Sequence, residues 1–188
     1  AFDKLVLLEG STANDNAGGG TYGTEAAVTV NIESSWTNDT TGFTLDASAL
    51  LNTDDDTTTT TTVEGLATGG ATITVDSGDL AALTVSGTQN SDTITTGRGA
   101  DVVNGNDGND TLNGAGGNDT LDGGADDDLL SSELGRDSLL GGAGNDTLNA
   151  GDGSDTLAGG EGNDLLRGDG GDDDLLLGAG DSAFGGDG

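Results

Sequence analysis

Residues 105–130 read GNDGNDTLNGAGGNDTLDGGADDDLL, and nearly all of that length is Gly, Asp and Asn. The large apolar side chains in it are Leu112, Leu121, Leu129 and Leu130. Three of them, Leu112, Leu121 and Leu130, stand nine residues apart, each two places after an aspartate. A polar, glycine-rich segment would ordinarily stay unfolded, because it buries too little apolar surface to offset its ordering entropy. A fixed register of aspartate and leucine contradicts disorder and indicates a repeat.

The register extends outward in both directions. From Gly87 the chain divides without gaps into eleven nonads: GTQNSDTIT, TGRGADVVN, GNDGNDTLN, GAGGNDTLD, GGADDDLLS, SELGRDSLL, GGAGNDTLN, AGDGSDTLA, GGEGNDLLR, GDGGDDDLL and LGAGDSAFG. The sixth position is Asp92, Asp101, Asp110, Asp119, Asp128, Asp137, Asp146, Asp155, Asp164 and Asp173, then Ser182. The eighth is apolar throughout, from Ile94 and Val103 through seven successive leucines (Leu112 to Leu166) to Leu175 and Phe184. Nine residues suit one short strand and one tight turn. Positions 7 to 9 alternate polar, apolar, polar, so a strand there turns its middle side chain inward. The glycines of positions 1 to 6 let the backbone bend with its carbonyls exposed. One apolar residue per nonad makes no core alone, but stacked repeats align those side chains between two parallel sheets.

Charge then names the partner. The 188-residue chain carries 35 acidic residues against Lys4, Arg98, Arg136 and Arg167, a formal charge of −31. Nucleic acid and anionic membrane surfaces are therefore poor partners, neither nucleic-acid binding nor membrane insertion is expected, and no apolar run has the roughly 18 residues of a membrane span. Stacked turns bring like charges together, and a divalent hard cation converts that repulsion into ligation. Calcium takes six to eight oxygens at about 2.3–2.6 Å, which flexible turns supply from carboxylates and carbonyls together. Magnesium demands stricter geometry. Zinc would call for His or Cys, and the chain has neither.

The nonads resemble the G-G-x-G-x-D-x-U-x repeats of the RTX family of calcium-binding parallel β-roll proteins. GGAGNDTLN (141–149) and GGEGNDLLR (159–167) match every specified position. The resemblance covers Gly87 to Gly185, just over half the chain. It implies a right-handed β-roll over residues 87–188 with alternate turns on opposite edges. One edge would stack Asp92, Asp110, Asp128, Asp146 and Asp164, the other Asp101, Asp119, Asp137, Asp155 and Asp173. An ion between each neighbouring pair gives about eight calcium ions, taking the repeat half from a charge of −19 to about −3. Three turns depart from the pattern. GTQNSD lacks two glycines and is expected to serve as a cap. SELGRD sets Leu134 and Arg136 in the turn and casts doubt on sites at Asp137. The last turn loses its aspartate at Ser182, which should weaken a site pairing it with Asp164.

Residues 1–86 use a different grammar. Strand-like alternation occurs at Lys4–Leu8, Ala27–Ile32, Ala71–Val75 and Leu80–Val85, with turn-rich segments between. The stretch 43–52 reads as strand or short helix, and 54–62 as a solvated loop or exposed strand edge. A small β-sandwich-like domain is expected over 1–86, making the chain all-β. The carboxylates are committed to the repeat or scattered in loops, so no enzyme is expected; without Cys or His, the thiol and triad mechanisms are absent too. An ice-binding array needs Thr at a constant turn position, and position 3 varies freely. The remaining expectation is an extracellular, secreted or cell-surface calcium-binding structural protein that self-assembles head to tail into a filament or surface layer. The competing expectation is a non-catalytic calcium module of a larger secreted enzyme, toxin or adhesin. The chain stops three residues past the last nonad, an uncapped end expected to be a truncation or an assembly surface.

Overall fold

The computed structural model describes residues 4–6, 29–31, 43–46, 61–64, 70–74 and 82–188. Among them there are strands and turns but no helix. The early strands are β1 (Lys4–Val6), β2 (Thr29–Asn31), β3 (Phe43–Asp46), β4 (Thr61–Glu64), β5 (Ala71–Thr74) and β6 (Leu83–Ser86). The repeat region contributes β7 (Thr93–Thr95), β8 (Val102–Asp107), β9 (Thr111–Asn113), β10 (Thr120–Ala125), β11 (Leu129–Ser131) and β12 (Leu134–Gly135). It continues with β13 (Ser138–Ala143), β14 (Thr147–Gly153), β15 (Thr156–Glu161), β16 (Leu165–Gly170), β17 (Asp174–Leu176) and β18 (Ser182–Phe184).

Successive strands alternate between two parallel sheets, the arrangement of a β-solenoid. Sheet I runs β1-β3-β5-β7-β9-β11-β14-β16-β18, with β12 on β14; sheet II runs β17-β15-β13-β10-β8-β6-β4-β2. Each strand therefore pairs with the one two nonads away: Leu121 aligns with Val103 on one side and Leu139 on the other. Two nonads make one coil.

The eighth-position side chains form the core between the sheets. Ile94, Val103 and the seven leucines from Leu112 to Leu166 are buried, joined upstream by Ile73, Leu83 and Val85. Each contributes about 1.5–3 kcal/mol of apolar burial. Six strands run on past position 9 into positions 1 to 3, as β10 does from Thr120 to Ala125. Alternation then carries position 1 inward as well as positions 6 and 8. Thr96, Ser132 and Ala150 occupy position 1 and are fully buried; elsewhere it is mostly glycine. The expectation that positions 1 to 6 only turn the chain is corrected here. Position 1 belongs to the wall.

The last coil corrects the register. Leu166 aligns with Ala183 and Arg167 with Phe184, one residue short of the preceding coils. Ala183 packs against the core, while Phe184 is 59% exposed and lies 5.7 Å from the Arg167 guanidinium.

The sandwich-like domain expected over 1–86 falls mostly outside the described residues. The strands described there contain parts of all four predicted segments and join the two sheets in parallel register, through Leu45↔Ile73↔Ile94 and Val63↔Val85↔Val103. The sheets of the roll thus begin upstream of Gly87. The stretch 43–52 starts as strand β3, and 54–62 ends by entering β4; the rest of each lies outside the described residues.

Candidate metal centre

Alternation turns the sixth-position aspartates into the roll, at its two edges. Asp92, Asp101, Asp110, Asp119, Asp128, Asp137, Asp146, Asp155 and Asp164 are buried, and Asp173 is half-buried. A buried carboxylate must be paired or ligated, and here the first oxygen is paired by the coil before it. Asp110 Oδ1 accepts the Asp92 N–H at 2.7 Å, Asp128 Oδ1 that of Asp110 at 2.8 Å, Asp146 Oδ1 that of Asp128 at 2.9 Å and Asp164 Oδ1 that of Asp146 at 2.9 Å. On the other edge Asp119, Asp137, Asp155 and Asp173 accept from Asp101, Asp119, Asp137 and Asp155 at 2.8–3.0 Å. Every bond spans 18 residues. The two files are the two edges the resemblance implied.

The second oxygen is left over. Oδ2 of Asp110, Asp119, Asp128, Asp146, Asp155, Asp164 and Asp173 is buried with no hydrogen-bond partner. Each unsatisfied oxygen of this kind costs about 1–3 kcal/mol or more for a charged group. Desolvation accordingly pushes Asp110 and Asp119 up to about 7 and Asp128 and Asp146 to about 6, opposed by the amide bond from the preceding coil. Charged neighbours in adjacent coils add to the rise at all four. Asp137 and Asp155 shift the same way, also led by burial. By contrast the exposed Asp127, whose carboxylate accepts the backbone amide and side chain of Asn145, is held low.

At several of these turns the glycine leaves no room for a Cβ. A Cβ on Gly105 would strike Asp110 Oδ2 and come within 2.5 Å of the Gly123 carbonyl; on Gly141 it would strike Asp146 Oδ2 and approach the Gly159 carbonyl to 2.6 Å. A Cβ on Gly142 (φ 110°) would strike the Gly124 carbonyl of the preceding coil. Carboxylate oxygens and main-chain carbonyls therefore crowd the same turns. Among the described residues no three acidic or imidazole or thiol side chains gather into a metal-binding cluster. A cation on these files would draw two carboxylates at most from neighbouring coils and the balance of its shell from carbonyls. That all-oxygen set fits calcium, whereas zinc is unsuited to it.

The irregular turns behave differently from one another. SELGRD keeps its place: Asp137 accepts from Asp119 and donates its amide to Asp155, so the file is unbroken, and Leu134 points to solvent. Ser132 replaces the first glycine there and donates its hydroxyl to the Ala150 carbonyl at 2.8 Å. In the last coil Asp181, one residue before the expected Ser182, accepts the Asp164 N–H at 3.1 Å. The file is thus carried on by a residue that the nonad register overlooked. The signal was the Asp–Ser order itself, since the shortened coil needs its acceptor one place earlier. Backbone amides of Asp164 and Gly178 hold the Asp181 carboxyl below its ordinary value.

A parallel β-solenoid whose turns stack inward carboxylates and carbonyls defines a class of oxygen-ligating, metal-organised repeat protein. The family model of the RTX calcium-binding nonapeptide repeat matches four times, at residues 86–121, 113–148, 122–157 and 149–182. These matches span more than half the sequence, and the chain belongs to that family. Searches of curated proteins and of solved structures give no match.

Proposed function

We propose that the protein is an extracellular, non-catalytic structural subunit whose roll is made rigid by calcium and which then assembles with copies of itself. Calcium binding is the property its repeats imply, and such repeats are typical of secreted bacterial proteins. The observation that carries assembly is an outward apolar column on sheet II. Leu140 aligns with Ala158 and Ala158 with Leu176, all at position 9, and the two leucines are 41% and 55% exposed. Adjacent strands lie about 4.8 Å apart, so the column is continuous along the sheet. Polar residues hold the same column upstream, Asn104 and Asp122. A continuous apolar stripe on so acidic a chain supports a contact there, and calcium removes much of the repulsion that opposes association.

Sedimentation and negative-stain imaging at millimolar calcium test the reading. Filaments or sheets are expected that chelator dissolves and that the double substitution Leu140→Lys, Leu176→Lys prevents without loss of the calcium-bound fold. A monodisperse monomer would favour the second reading, a calcium module within a larger secreted protein, which the confinement of the family match to the repeats supports.

A further inference from the structure

The files do not end as they run. At the start of the first edge, Asp92 Oδ2 accepts the Thr88 N–H at 2.5 Å, and the Thr88 hydroxyl lies 2.9 Å from Asp92 Oδ1. That hydroxyl has one proton and a second acceptor in reach, the Asn90 carbonyl at 3.1 Å; the ionised oxygen is the stronger acceptor. Thr88 is buried and its hydroxyl oxygen also accepts the Asn90 N–H at 3.1 Å, which fixes its orientation. At the other end, Asp181 Oδ1 accepts the Asp164 N–H and its Oδ2 accepts the Gly178 N–H at 2.6 Å. Between these two lie Asp110, Asp128, Asp146 and Asp164, each with a buried Oδ2 that no protein group satisfies.

We infer that the first edge takes up cations only in its interior, and that the turns of Asp92 and Asp181 are metal-independent caps whose carboxylates are closed by their own turns. The inference rests on the calcium-binding reading and refines it. An ion between Asp92 and Asp110, or between Asp164 and Asp181, would have to take an oxygen already bound by Thr88 or by Gly178. A carboxylate satisfied by Thr88 or Gly178 terminates the array without exposing an incomplete site. The sequence carries the cause: position 2 of the first nonad is Thr, where the fifth, seventh and ninth nonads have Gly, and the final coil is one residue short. On this edge ions fall between Asp110 and Asp128, Asp128 and Asp146, and Asp146 and Asp164. The pairs Asp92–Asp110 and Asp164–Asp181 hold none.

The test counts calcium bound to the full chain after equilibrium dialysis, by elemental analysis, in the native protein and in Asp92→Asn, Asp181→Asn and Asp128→Asn. Asp92→Asn and Asp181→Asn should keep the native count, and Asp128→Asn should lose one or two ions. A loss in either cap variant equal to that of Asp128→Asn overturns the inference. Where Asp92→Asn does not fold, Thr88→Val decides, since it keeps the carboxylate and removes the hydroxyl. An unchanged or higher count supports a cap, and a lower one overturns it. A native chain that binds no calcium refutes the underlying reading instead, an outcome distinct from either.

Discussion

The unpaired Oδ2 makes each interior aspartate choose between a proton and a metal ion. In the unfolded chain an aspartate ionises near 3.9, whereas burial raises Asp110 and Asp119 to about 7 and Asp128 and Asp146 to about 6 in the roll. A raised folded value means that the folded state holds extra protons between these limits. The stability they contribute is complete below about pH 4 and is lost as pH rises through 6 to 7. The calcium-free chain should therefore gain β-structure on acidification from pH 7.5 to about 5, and lose it again on return. With calcium the same signal should be nearly constant at and above pH 7, and calcium affinity should fall as protons compete below it. Circular dichroism with and without chelator checks both. A calcium-free signal that declines on acidification would contradict the raised values.

From the third nonad to the tenth the second position of the turn is left-handed, and the repeat meets that demand unevenly. Gly142 and Gly160 adopt φ of 110° and 107°, but Ala115, Glu133 and Asp169 hold 63–66° at the same place. A side chain in this region costs about 1–2 kcal/mol. Glu133→Gly should therefore raise the thermal stability of the calcium-loaded protein, by up to about 1 kcal/mol after the added chain entropy of glycine. Gly142→Ala should lower it by more, because its Cβ also meets the Gly124 carbonyl; calorimetry in calcium measures the pair. This contrast shows what the sequence could and could not reveal. Leu112, Leu121 and Leu130 disclosed the core and Asp110, Asp119 and Asp128 the two files, because side-chain chemistry repeats visibly at nine. The inward wall at position 1 was illegible, since glycine there carries no polarity to read. Asp181 was missed because strict counting favoured Ser182, whereas hydrogen bonding to Asp164 favours the acid. The β-strands of the first half were legible as strands, but their parallel pairing depends on partners 20 or more residues away, as Leu45 is from Ile73.

At the scale of the whole molecule, the buried aspartates of the described residues are compressed into two files with successive coils about 4.8 Å apart. The Debye length at 0.15 M ionic strength is about 8 Å, longer than that spacing. Monovalent salt therefore cannot screen one coil's carboxylate from the next, least of all where both are buried. Excess chelator at pH 7.5 should abolish the β-signal of residues 87–188. Millimolar calcium should restore it, while sodium chloride at 0.15 M should not. Recovery in sodium chloride alone would mean that diffuse repulsion, and not ligation, governs the fold.

The ladder of carboxylates and amides also has a direction. Each coil lends an oxygen backward to the amide of the coil before it, from Asp110 to Asp92 and onward to Asp181 and Asp164. A cut across the roll between any two coils consequently yields unlike faces, one bearing donors and the other acceptors. Two like faces brought together set amide against amide or carboxylate against carboxylate. Any contact that continues the ladder from one molecule to the next must keep a single sense of travel, so a polymer built that way has a front and a back.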